Sequence, residues 1–414
     1  SHMEHYDYLI IGNGVAGMTA AETIQARDAS TSIAIVSDEL HPLYSRVLLP
    51  SYVKGTATRE QMFLRKTVDY ASKNILLLGG ETAAHLDASQ RVLKLASGRQ
   101  LRFEKLLIAT GGRPQPLGMP GEEMHGVSRF QTIEDADAMR EFLPTVRRAV
   151  VVGGGFIALE YLEILAERHI PATLILPHAH FFGRFMDAAG GQLLHENFER
   201  YGIAVVSSDR LSAIRGKETI RGIRTAAGRE LEADFLGIGI GLLRNTAWLE
   251  ASGLHVSAGG IVTDEFLETS VPGVFAAGDA ADFYDVLLGF RHTHGNWGNA
   301  FRQGELAGRN MTAAASPEAY RSVTSYGIRN LGLQIALVGH VAGGPGIDAV
   351  SSVAPDGKYG RFFLQGERLV GTALINRNED RPAITKLIGE AIPVHAAARQ
   401  NLEDPAFDIK TLVA

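Results

Sequence analysis

Cysteine is missing from this chain altogether. Its absence excludes a disulfide, a thiolate metal site, a redox dithiol and a cysteine nucleophile, so redox chemistry within the chain has to run on a bound cofactor. Long apolar runs are missing too: no stretch reaches the roughly 18 residues of a membrane-spanning helix, and no secretory signal pattern stands near the start. The expectation is a cytoplasmic protein without a membrane span. Basic excess is also lacking. With a formal net charge of −6, no overall positive field recommends nucleic acid as a partner. Ser1-His2-Met3 reads as a cloning remnant and is set aside.

What is present is an ordinary globular composition, 45% hydrophobic and 21% charged, in a chain of 414 residues, which is too long for one core and implies two or three domains. The most informative stretch is Tyr6 to Glu22. The apolar run Tyr8-Leu9-Ile10-Ile11 leads into Gly12-Asn13-Gly14-Val15-Ala16-Gly17 and then into an Ala-rich helical pattern. This is the G-x-G-x-x-G dinucleotide fingerprint between a strand and a helix. Gly12 makes the tight turn, Gly14 admits a pyrophosphate, and Gly17 lets helix and strand pack closely, with the diphosphate on the helix N-terminus. Ser32 to Ser37 reads as the second parallel strand. Asp38-Glu39 follow where an acid accepts hydrogen bonds from a ribose, Asp38 being preferred and an exposed loop acid the alternative.

From Tyr44 to Leu76, the basic residues Arg46, Lys54, Arg59, Arg65, Lys66 and Lys73 outnumber Glu60 and Asp69, which suggests either a docking patch or a solvated helical face. Arg46 is a phosphate or flavin contact or a surface charge. A meander follows, with strands expected at Leu76–Leu78, Arg91–Leu95 and Gln100–Phe103, and then a separate apolar strand from Lys105 into Ala109-Thr110-Gly111. Pro114, Pro116 and Pro120 mark a domain crossing. The opening pattern then recurs: Arg148-Ala-Val-Val-Val152 runs into Gly153-Gly154-Gly155-Phe156-Ile157-Ala158 and an apolar helix. Two such units imply two nucleotides, or one nucleotide and a structural relic. After the second unit's next strand, Ala172–Leu176, stands Pro177-His178, where an acid marks NAD and a nearby arginine NADP; Arg184 is the nearest basic residue beyond.

Toward the C-terminus, Phe235 to Gly241 is an apolar strand with glycines that allow a flat ligand to approach. Pro272 to Asp279 is a strand ending in the Gly278-Asp279 pair, where Asp279 acts as a helix N-cap, as a ligand contact, or as both. His292 and His294 stand at i, i+2, but no third-ligand pattern accompanies them and no metal is expected. A helix is predicted from about Ala300 to Met311, and the last hundred residues read as a small α+β domain.

The order of GNGVAG, IATGGRP, VVGGGFIALE and VFAAGDAAD resembles the two-dinucleotide-domain flavoproteins related to glutathione reductase, over essentially the whole chain. Within that superfamily, Asn296 to Gly304 looks like the W-x-N-A-x-x-Q-G stretch of ferredoxin, putidaredoxin and rubredoxin reductases. YSRVLLPSYVKG is similar to the flavin domain of assimilatory nitrite reductases, and Leu306 to Met311 is similar to apoptosis-inducing-factor-like members. The resemblance implies an α/β fold of two Rossmann-like domains plus a small α+β domain. Its boundaries are an FAD-binding domain over 4–116 and 238–317, an NAD(P)-binding domain over 117–237 and a C-terminal domain over 318–414.

Carried over by motif, FAD is held by Gly12, Gly14, Ala16, Gly17, Asp38 and Arg46, with Ala83 at the adenine, Thr110, Gly111 and Arg129 near the flavin, and Gly278 and Asp279 at the ribitol. Trp297 lies by the isoalloxazine and shields it, with a plain core aromatic as the alternative. Gly153, Gly155, Ile157 and Gly239 bind NAD(H) or NADP(H), and Glu160 orients the nicotinamide or is merely a surface helix acid. Three departures stand out: no cysteine, no acid after the second fingerprint, and Arg244 in place of a proline in the G-I-G-x-x-P-N run. The function implied is an FAD-dependent NAD(P)H oxidoreductase passing electrons to a small iron–sulfur or rubredoxin-type protein. The alternatives are an oxidase or diaphorase using oxygen or quinone, and a flavin-bearing subunit with a degenerate NAD site. An oligomer is left open.

Overall fold

A computed structural model describes residues 2–312 and 316–414. It divides into two compact units, one of Ser1–Val47, Arg59–Arg113 and Leu243–Thr324, the other of Leu48–Thr58, Pro114–Leu242 and Ser325–Ala414.

The first unit is built on a seven-stranded sheet. Strand Met3–Ile11 lies between Ile33–Ser37 and Gln100–Ile108, both parallel to it, and Ile75–Gly79 extends the sheet beyond Ile33–Ser37. All five residues of Ile33–Ser37 are buried, as a parallel strand covered on both faces requires. The stretch from Gln100 to Ile108 is one continuous strand, where sequence reading expects a meander strand and then a separate apolar one. Its burial pattern explains the join. The first five positions alternate, and the first three of these pair antiparallel with Val92–Lys94; the last three are fully buried and pair parallel with Val274–Ala276. One strand therefore serves a half-exposed meander and a buried parallel layer, and its period changes partway along.

Helix Val15–Arg27 packs on helix Trp297–Thr312 at backbone distance. A Cβ on Gly304 would stand 2.3 Å from the Ala16 carbonyl oxygen, and one on Gly308 would stand 2.9 Å from that of Ala20. Small residues four apart on each helix make this approach feasible. The second helix begins at Trp297, earlier than the predicted Ala300, because the Asn296 side chain accepts the Asn299 N–H at 2.9 Å and caps the first turn.

In the second unit, a parallel sheet runs in the order Ile203–Ser207, Ala172–Leu176, Ala149–Val152, Phe235–Ile238, Val127–Ser128. Helix Phe156–Glu167 follows Ala149–Val152, and its buried face of Ala158, Leu159, Leu162 and Leu165 explains its apolar sequence. An antiparallel meander, Leu211–Gly216, Ile220–Thr225 and Glu230–Glu232, branches from this sheet's chain. Residues from Ser325 onward form a five-stranded antiparallel sheet backed by helix Arg381–Gly389. The architecture is α/β with two Rossmann-like layers and a small α+β part.

The local basic excess between Tyr44 and Leu76 is largely neutralised from elsewhere in the chain. Arg46 pairs with Glu39, Lys54 with Glu163, and both Arg65 and Lys73 with Glu22. These pairings leave little of the segment as a free positive patch.

The helix contact gives a direct test. Gly304→Ala adds a methyl against a carbonyl and is expected to lower stability by about 1–3 kcal/mol despite the better helix propensity of alanine. At Gly298 the nearest atom to an added Cβ is 3.6 Å away, so Gly298→Ala is expected to be neutral or stabilising by up to about 1 kcal/mol. Urea denaturation of the two variants measures the difference.

Candidate functional site

The first glycine cradle forms because three backbone segments meet where strand Met3–Ile11 ends. Gly12 has φ +113°, and a Cβ there would lie 2.1 Å from the Ala109 carbonyl oxygen. A Cβ on Gly17 would lie 2.0 Å from the Gly12 carbonyl oxygen. Gly14 is different. Its φ is −82°, which any residue adopts, and nothing lies within 4 Å of an added Cβ. No packing demand accounts for a glycine there; the open space lies at the N-terminus of helix Val15–Arg27, whose first turn carries no acid. Free N–H groups beside open space suit a diphosphate, so these residues fit a dinucleotide.

Around that cradle the first unit gathers most of the sequence-derived candidates. Gly278, at φ +77°, would place a Cβ 3.5 Å from that of Ala16. Thr110 and Gly111 follow strand Gln100–Ile108, and Gly111 has φ +65° with nothing within 4 Å of an added Cβ. Asp38 is exposed at the end of Ile33–Ser37. Its neighbour Glu39 is committed, accepting from the Tyr44 hydroxyl at 2.6 Å and from Arg46 at 2.5 Å. That engagement leaves Asp38 as the acid facing solvent and ties Arg46 to Glu39 and Tyr44. Ala83 opens strand Ala83–Asp87. Trp297 is 44% exposed and lies parallel to Phe301, centroids 5.4 Å apart.

Two residues have supporting roles that sequence reasoning did not assign. Arg244, which stands where a proline was expected, donates from Nε to the Asp279 carbonyl oxygen at 2.5 Å and from Nη2 to Thr293 Oγ1 at 2.9 Å. Burial pushes the Asp279 carboxyl up to about 6, and the Arg244 cation opposes that rise. Gln303, fully buried, accepts the Gly278 N–H at 2.8 Å and so holds the Gly278-Asp279 turn. The Q in W-x-N-A-x-x-Q-G was the available signal for Gln303; the departure from proline marked Arg244, but nothing local signalled its contact with Asp279.

The second unit repeats the cradle. Gly153 has φ +129° and an added Cβ would be 2.0 Å from the Gly239 carbonyl oxygen, whereas Gly155, the N-cap of Phe156–Glu167, has φ −128° and nothing within 4 Å. Gly239 carries a packing demand of its own, because a Cβ there would lie 2.8 Å from the Ala158 nitrogen. Ala158 occupies the third-glycine position, and Gly239 supplies the room its methyl takes. Ile157 is partly exposed in the first helical turn. Arg129 donates to Glu122 Oε1 at 2.6 Å and to the Gln115 carbonyl at 3.1 Å. Burial pushes the Glu160 carboxyl up to about 7; Lys54 pulls it down and Glu163 pushes it up. His178 and Arg184 are exposed.

Two glycine cradles, each at the N-terminus of a helix in a parallel sheet, define a fold with two dinucleotide-binding units. Residues 6–304 match the pyridine nucleotide-disulphide oxidoreductase family, and the chain belongs to it. With no cysteine, it lacks the thiols of the family's name. It is 28% identical over 419 residues to putidaredoxin reductase CamA of Pseudomonas putida, covering 98% of this chain and 96% of that protein. It is 26% identical over 400 residues to the NAD(P)H nitrite reductase of Bacillus subtilis, covering 96% of this chain and 49% of that protein, so it spans about half of that relative. The solved covalent putidaredoxin reductase–putidaredoxin complex matches with a TM-score of 0.89 at 26% identity, over 99% of this chain and 98% of that one. Among the described residues, no helix is long and apolar enough to cross a membrane.

The raised Glu160 carboxyl has a stability consequence. Folding holds its proton to about pH 7, while the unfolded chain releases it near the ordinary glutamate value. The folded state is thus penalised as pH rises through that window. Glu160→Gln removes the penalty: its stability relative to wild type is expected to grow between pH 5 and 7.5, by on the order of 1–3 kcal/mol, and to stay level above. Chemical denaturation across that pH range checks it.

Proposed function

We propose that the chain carries electrons from NAD(P)H, through FAD, to a small iron–sulfur or rubredoxin-type protein. The observation that carries this reading is the open space at the second glycine of each fingerprint, Gly14 and Gly155, in front of a helix N-terminus. In this reading FAD is held in a domain of residues 4–116 and 238–317, and the nicotinamide nucleotide in 117–237, with 318–414 as a third domain. Bound FAD supplies the exchange between two-electron and one-electron transfer.

The chain's own residues position and shield. The Gly12–Gly17 turn and the first turn of Val15–Arg27 hold the FAD diphosphate, Asp38 accepts from the adenosine ribose, and Asp279 accepts from ribitol while Arg244 holds its carbonyl and Gln303 the Gly278 N–H before it. Ala83 meets the adenine; Thr110, Gly111, Arg46 and Arg129 border the flavin. Gly153, Gly155, Ile157 and Gly239 seat the nicotinamide nucleotide, Glu160 orients its reactive ring, and Trp297 shields the flavin from water. No general base is required, and with no cysteine in the chain no thiol relay intervenes between flavin and acceptor. The name and near full-length match of putidaredoxin reductase support a small redox protein as acceptor.

Two measurements test this. Anaerobic stopped-flow with NADH and NADPH is expected to bleach the flavin's visible band rapidly with at least one of them; bound FAD that neither reduces would point to a flavin-bearing subunit with a degenerate second site. Because a Cβ at Gly14 or Gly155 meets nothing within 4 Å, Gly14→Val is expected to keep the fold, within about 1 kcal/mol of wild-type apoprotein given the N-cap position, yet lower FAD retention at least about tenfold. Gly155→Val is expected to keep FAD and weaken nicotinamide-nucleotide binding by a similar factor. The ratio of flavin to protein absorbance and a titration with NAD(P)H give the two readouts.

A further inference from the structure

Among the described residues, one group of side chains has the composition and spacing of a metal site, and none of its members belongs to either fingerprint. Strands Ala281–Asp285 and Phe290–His292 form an antiparallel hairpin in which Phe283 is opposite His292 and Asp285 is opposite Phe290. Opposed residues point to the same face of a sheet, so Phe283, Asp285, Phe290 and His292 share one side. His294 follows two residues on, and its ring meets that of His292 edge to face with centroids 4.1 Å apart. The Asp285 carboxylate is already oriented. Its Oδ1 accepts the N–H groups of Leu287 at 2.8 Å and Leu288 at 3.1 Å, which turns Oδ2 toward His292 Nε2 at 2.7 Å. The Asp285 and His292 side chains are each 5% exposed. Phe283 and Phe290 wall the site, with centroids 5.0 and 5.6 Å from the His292 ring.

We propose that Asp285, His292 and His294 bind a divalent transition-metal ion of borderline softness, with Zn2+ as the reference case. Two imidazole nitrogens and one carboxylate oxygen are a set that such ions take, leaving a fourth position for water. One ligand atom from each residue lies within 4.8 Å of the others; metal–ligand distances of about 2.0–2.2 Å need a spread nearer 3.5 Å. Small imidazole rotations close that gap, and the ion takes the place of the Asp285–His292 hydrogen bond, bound by the carboxylate and by neutral imidazoles that keep their N–H on the other ring nitrogen. The two backbone N–H groups on Oδ1 supply the outer hydrogen bonds that orient a metal-binding carboxylate, and the Thr324 hydroxyl, 3.2–3.3 Å from the His294 ring nitrogens, stands beside the second imidazole. The bound ion ties the hairpin to the segment that enters helix Trp297–Thr312, three residues before Trp297.

The test uses the full FAD-containing chain, stripped with a chelator and dialysed against Zn2+, with Co2+ as the spectroscopic substitute. The expected result is one zinc per chain, visible absorption bands of low-coordinate Co2+, and a higher melting temperature with Zn2+. Asp285→Asn and His294→Gln are each expected to weaken binding by at least about tenfold and to abolish the melting shift. His294 is only partly buried, so His294→Gln carries the test if Asp285→Asn does not fold. Absence of stoichiometric binding to the wild-type chain overturns the proposal, as does unchanged affinity in the folded variants.

Discussion

The structure of the first unit depends on how closely main chains approach one another around residue 12. Carbonyl oxygens of Gly12, Ala109 and Ala16 lie where the Cβ atoms of Gly17, Gly12 and Gly304 would be, at 2.0, 2.1 and 2.3 Å. Side chains larger than hydrogen at these points would push apart the fingerprint strand, its helix and helix Trp297–Thr312 together. That contact fixes where the helix N-terminus points and how near the Gly278-Asp279 turn comes to it. The second unit uses the same contact with a different distribution of bulk: Ala158 carries a methyl, and Gly239 gives up its own to accommodate it.

Within each fingerprint the glycines divide into two kinds. Those at the first position have positive φ and press against backbone, so folding alone requires them. Those at the second position have ordinary φ and face empty space, so folding does not require them. A residue kept small without a packing reason leaves room for something outside the polypeptide. This separates a ligand-bearing turn from a merely tight one, and it does so on both sheets independently.

Electrostatics follows the same logic of commitment. Glu39 is held by Arg46 and Tyr44 while Asp38 remains exposed, and Glu22 gathers both Arg65 and Lys73. The local positive run that looks like a patch in sequence is thereby consumed by acids distant in the chain. Arg244, standing where a proline was expected, grips the Asp279 carbonyl and Thr293 with its guanidinium and places a cation beside a buried carboxylate.

The sequence by itself determined the two strand–glycine–helix units, the exclusion of thiol chemistry and the order of elements around them, because each rests on local backbone sterics and residue spacing. It also exposed the cradle glycines, since their pattern is contiguous. Tertiary structure alone decided that Gln100 to Ile108 is a single strand serving two environments, that Gln303 and Arg244 hold the Gly278-Asp279 turn, that Gly239 makes room for Ala158, and that Asp285 comes within reach of His292 and His294. The physical reason is common to all of these. Each depends on a partner supplied by another strand or helix, and neither hydrophobic period nor motif spacing records which distant residue a side chain will meet.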